Sequence, residues 1–136
     1  MEVNETTIRL FLHVLGVSVW VGGQIALSAL VPVARGLGPD APRRLARRFA
    51  QVAWPFFALT VVTGIWNLLR VNVGDRTVGY QITLMIKLLL VALSGGTAFV
   101  HGLEVTAPVR AITGALALLA GLAAAFCGVL LIWGGG

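Results

Sequence analysis

His13, Lys87 and His101 are the side chains best suited to chemistry, and each falls within or at the end of a long apolar stretch. A neutral imidazole ligates a metal or relays a proton. An ammonium in apolar surroundings has three options. It snorkels toward water, it meets an anion, or it gives up its proton and works as a proton carrier. Trp20, Thr63 and Asn67 recur at helical spacing around these groups. The single Cys127 excludes an intramolecular disulfide and any cysteine-cluster metal site.

The elements that must position these residues follow from composition. Apolar residues make up 58% of the 136 residues and charged ones 11%, against about 25% charged in ordinary soluble domains. A soluble domain of this size could not cover its surface with so few charges. No charge lies between Arg9 and Arg35, between Arg48 and Arg70, or after Arg110, and between Arg76 and Glu104 the sole charge is Lys87. About 20 apolar residues span a hydrocarbon core as a helix. The gaps therefore predict four spans, roughly 8–33, 47–69, 78–102 and 108–133. Strict alternation is missing and the run Leu88–Leu93 is continuous, so helices are expected rather than a β-barrel. The fold class is all-α integral membrane, a four-transmembrane-helix up-down bundle forming one domain over 1–136. Thr6 and Thr7 are candidate N-caps, Pro32 can bend or end the first helix, and Pro55 can kink the second. Arg43–Phe49 reads as a short amphipathic lead-in. The first span is too long for a signal-peptide core and has no Ala-x-Ala cleavage pattern, so it is kept as a span.

Net charge of +5 suggests a nucleic-acid partner at first sight. Its distribution argues against one. Arg35, Arg43, Arg44, Arg47 and Arg48 sit in the first connection and Arg110 follows the third span, whereas the N-terminal tail and second connection hold Arg9, Arg70 and Arg76. That asymmetry obeys the positive-inside rule. It places the 35–48 loop in the cytoplasm against anionic lipid and both termini outside.

Polar groups inside a span are costly and turn toward the bundle interior. At 100° per residue, His13, Trp20, Gln24 and Ser28 share one face of the first helix. Thr60, Thr63 and Asn67 share one face of the second. Thr83, Lys87, Ser94 and His101 share one face of the third. These stripes predict one partly polar interior. His13 and Lys87 each lie about 8–10 Å inside the outer ends of their helices, while His101 is about 21 Å deeper than Lys87, near the inner end and close to Glu104. His13 and His101 are thus too far apart to clasp one haem, and each is a single-histidine position. Lys87 is placed to meet an anion such as a porphyrin propionate, if it does not snorkel outward. Gly114, Gly121 and Gly128, seven apart on the fourth helix, mark a close helix approach or a flat wall for a cofactor ring. Trp20–Gly23 and Leu93–Gly96 form a faint internal echo of two helix hairpins. The copper-type ligands are Met1, Met85, Cys127, His13 and His101, with no repeated Met spacing.

The run His13–Gly23, with Gly16, Trp20, Gly22 and Gly23 in it, resembles the first core helix of the CopD copper-resistance family. The resemblance continues through Arg47, Arg48 and Phe49, through Thr63 and Gly64, and through Lys87–Val91. It covers the first three helices, and the fourth only in general character. The same arrangement is similar to the bacterial membrane protoporphyrinogen oxidase HemJ, a small helical haem-b protein. That likeness implies His13 as a haem ligand, Lys87 as its functional companion, and His101 as the histidine ending the third helix. Val33, Ala34 and Arg35 stand where that oxidase carries another histidine, and CopD proteins are often larger.

Three functions are therefore expected, in order. The first is CopD-like copper handling or transport at a bacterial plasma membrane. The second is haem-b-binding redox work, enzymatic or not. The third is a non-catalytic role in a homo-oligomer or larger membrane complex. The cofactor-binding candidates are His13, Lys87, Trp20, Thr63 and Asn67; the metal candidates are His13 and His101. The cofactor is copper or haem b, and the bilayer itself is the one partner composition demands.

Overall fold

Hydrocarbon offers the backbone no hydrogen-bond partner but itself, which restricts a spanning segment of this composition to a helix. The computed structural model describes residues 3–103 and 105–133 and contains no strand among them. Among the described residues four helices are long and apolar enough to cross a membrane: Glu5–Gly36, Ala41–Leu69, Val78–Gly102 and Ala107–Trp133. Phe11, Val62, Leu89, Phe126 and Ile132 all stand well exposed on them. Apolar surface spread this widely over every helix belongs against acyl chains, not water. The all-α, four-span reading holds, and the chain is a multi-pass membrane protein.

The chain divides into two units, residues 1–71 and 72–136. Each is an antiparallel helix pair. In the first, His13 meets Thr60 and Gly23 meets Phe49, so numbers rise along one helix as they fall along the other. In the second, Ser94 meets Ala117 and His101 meets Arg110.

The helix ends depart from expectation for local reasons. The first helix is capped by Asn4, whose side chain accepts from the Thr7 backbone N–H at 2.9 Å and the Thr7 hydroxyl at 3.0 Å; Thr6 and Thr7 lie inside it. Pro32 does not end it, and helix continues to Gly36. The connection turns at Gly38, whose φ of 136° is favoured for glycine. Arg43–Phe49, the expected lead-in, is continuous with the span as the opening of a 29-residue helix. Pro42 falls in its first turn, where the missing N–H costs nothing. Thr77 caps the third helix by accepting from the Tyr80 N–H.

One feature has no Gly–Pro signature: Ser18–Gly22 winds as a π-helical turn. Such a turn inserts a residue and rotates everything after it. Trp20 and Val21 within it are buried. Beyond it the polar stripe is lost. Ser28 is exposed and bonds back to the Ile25 carbonyl, and the Gln24 amide bonds to the Trp20 carbonyl.

Candidate functional site

In the first unit, His13 lies flat against the second helix because two small residues let the backbones close. A Cβ on Gly16 would sit 2.3 Å from the Thr60 hydroxyl and 2.9 Å from the Phe56 carbonyl, and one on Gly64 would sit 3.3 Å from His13 Cε1. The His13 Nδ1 is 3.1 Å from the Thr60 carbonyl and 3.0 Å from the Thr63 hydroxyl. A carbonyl only accepts. The Thr63 hydroxyl donates its proton to the Leu59 carbonyl at 2.6 Å, so toward the ring it accepts too. Both partners therefore require the proton on Nδ1, and a neutral ring then carries its lone pair on Nε2. This is the arrangement by which outer partners orient a metal-bound histidine and raise its basicity.

Below His13, Trp20 packs on Phe57 with ring centroids 4.3 Å apart and on Trp54 at 5.3 Å. Gly23 lies directly under the Phe49 ring. The π turn and these four rings make an apolar floor about two to three turns from the imidazole. Asn67 is half-buried one turn beyond Thr63 on the same helix.

In the second unit a polar heptad on one helix meets a glycine heptad on the other. Lys87, Ser94 and His101 are seven apart, as are Gly128, Gly121 and Gly114. Seven residues are almost two turns, so each set lies along one face of its helix. At the deep end of these faces His101 Nδ1 donates to the Arg110 carbonyl at 2.8 Å, over Gly114, where a Cβ would be 2.9 Å from the ring. The expected neighbour, Glu104, lies outside the described residues. Ser94 is almost fully buried and donates to the Ala117 carbonyl at 2.7 Å. Such an intramembrane bond is worth about 0.6 kcal/mol. Lys87 lies across Gly128, its Nζ 3.2 Å from where a Cβ would be. Cys127, next to Gly128 in the chain, is buried.

The two histidines share a local design. Each donates Nδ1–H to a carbonyl of its partner helix and covers the glycine four residues on: Thr60 with Gly64, and Arg110 with Gly114. His13 and Thr63 are thus brought together as expected. Lys87 and His101 belong to one seam in the other unit.

Arg9 escaped the sequence reading, which took it for a topology charge. Its residue is 8% exposed and its Nε is buried with no hydrogen-bond partner. Four residues before His13, it stands on the same face one turn outward. That spacing was the available signal.

No family model, curated protein or solved structure matches this chain. Among the described residues no three His, Cys, Asp or Glu side chains gather as a metal-binding group.

Proposed function

We propose that the protein is a haem-b-binding redox protein of a bacterial plasma membrane, with His13 as the residue that would hold the iron. The observation that carries this reading is the Nδ1–H bond to Thr60 and Thr63, which directs the ring lone pair to Nε2. Haem iron already has four porphyrin nitrogens and asks the protein for one or two ligands. A single oriented histidine is enough. The residues present fit the group: His13 to hold iron, and the apolar rings of Trp20, Trp54 and Phe57 nearby on the same helix pair. Bound haem would supply one-electron chemistry.

Copper handling, which the likeness to CopD implies, is the second reading, and it draws on the same imidazole. Soft copper sites recruit several Cys, Met or His ligands, so a lone histidine supports this reading less well than the first. Protein purified in detergent from haem-replete cells separates the two. A Soret band with about one iron per chain is expected. Stoichiometric copper without a Soret band would transfer the function to copper, and neither metal would remove both readings.

The arginine count supports placing the 35–48 connection in the cytoplasm and both termini outside. With Cys127→Ser to remove the native thiol, Asp40→Cys is expected to react with a membrane-impermeant maleimide in inverted vesicles and not in intact cells. Labelling in intact cells would reverse the orientation.

A further inference from the structure

We propose that Arg9 is the anion-binding residue of the His13 site and holds a carboxylate of the bound porphyrin; the inference rests on the haem reading above. A buried guanidinium must be paired and hydrogen-bonded to be tolerated. Arg9 is nine-tenths buried, yet its pairing is incomplete. Its Nε has no acceptor. Its carboxylate neighbour among the described residues, Glu5, stands 3.7 Å away with a half-exposed side chain. Glu5 is moreover engaged by Arg70 at 2.8 Å. The buried Nε–H thus lacks an acceptor among the described residues, and the Glu5 contact is too long to count as a hydrogen bond.

Position says what acceptor it would take. Arg9 lies about 6 Å from His13 along the helix axis, on the same face. Side chains on a helix lean toward its N-terminus, so the guanidinium lies on the aqueous side of the imidazole. A porphyrin has the same polarity: an apolar ring with iron at its centre, and carboxylates on one edge. His13 would hold the iron, and with that edge turned outward Arg9 would be the residue to receive a carboxylate. The planar guanidinium fork suits a carboxylate better than an ammonium does.

The test titrates the full chain in detergent with haemin and with haemin dimethyl ester, whose carboxylates are blocked. The wild type is expected to bind haemin about tenfold to a hundredfold more tightly than the ester, the range of a charge-assisted hydrogen bond. Arg9→Gln is expected to bring haemin down to the ester's affinity, leave the ester unaffected, and preserve the iron-ligation spectrum. Arg9→Lys should fall between. Equal wild-type affinity for haemin and ester would overturn the role of Arg9 and leave the haem reading standing. That comparison needs no variant, so it decides the matter even if Arg9→Gln misfolds. Equal weakening of both ligands by Arg9→Gln would make Arg9 structural and overturn the proposal. No haemin binding by the wild type would remove the haem reading and this inference together.

Discussion

His13→Ala is expected to yield a colourless protein with unchanged helix content. On the haem reading the imidazole would be the one histidine ligand of its helix pair, and alanine would offer iron nothing. The backbone should survive, because Gly16 and Gly64 still seat the two helices and the Thr60 and Thr63 hydroxyls still bond to Phe56 and Leu59. Added imidazole should restore a Soret band in the vacated space. The outer partner can be graded separately. Thr63→Val removes one of the two acceptors at Nδ1 and keeps the Thr60 carbonyl, so haem affinity should drop about 10–100-fold, as when such partners of metal ligands are removed. Absorbance titration of the three proteins measures both effects. A Thr63→Val variant equal to wild type would mean that the ring's orientation is set elsewhere.

Gly16→Leu is expected to break the first helix pair and haem binding with it. Even a single Cβ would come within 2.3 Å of the Thr60 hydroxyl and 2.9 Å of the Phe56 carbonyl. The hydroxyl can be deleted, but the carbonyl is backbone and cannot yield without separating the helices. Overpacking costs about 1–3 kcal/mol where neighbours can shift; against a rigid backbone the upper end is expected for Gly16→Ala and more for leucine. Combining Gly16→Ala with Thr60→Ala should recover only part of the loss. Gly22→Ala is the contrasting control, since nothing lies within 4 Å of its Cβ. It should be neutral or gain up to about 1 kcal/mol from helix propensity. Thermal unfolding in one detergent ranks the variants. Gly16→Leu melting like wild type would show that the helices do not meet at Gly16.

The four helices are legible in the sequence because charges that cannot enter hydrocarbon punctuate the chain. Their ends are less so. Arg43–Arg48 carries enough charge to read as a surface segment, yet helical hydrogen bonding continues through it into the span. The π turn at Ser18–Gly22 leaves no composition signal, because an inserted residue changes phase and not residue type. Its cost to the reading is specific: Ser28, placed on the His13 face by counting 100° per residue, is rotated out. The meeting of His13 with Thr63 was readable from periodicity on both helices. Its decisive partner, the Thr60 carbonyl, was not, since every residue has a carbonyl and no pattern marks which one is used. For the same reason the bond from His101 to the Arg110 carbonyl had no signal in the sequence. Arg9 was visible but misassigned: the positive-inside rule accounts for arginines by side of the membrane and is silent on burial.

Resonance Raman scattering from the ferrous haem complex tests the assignment of His13 to iron most directly. An iron–imidazole stretching mode in the wild type that is missing from His13→Ala is the result predicted. The same mode surviving in His13→Ala, or no such mode in the wild type, would contradict it.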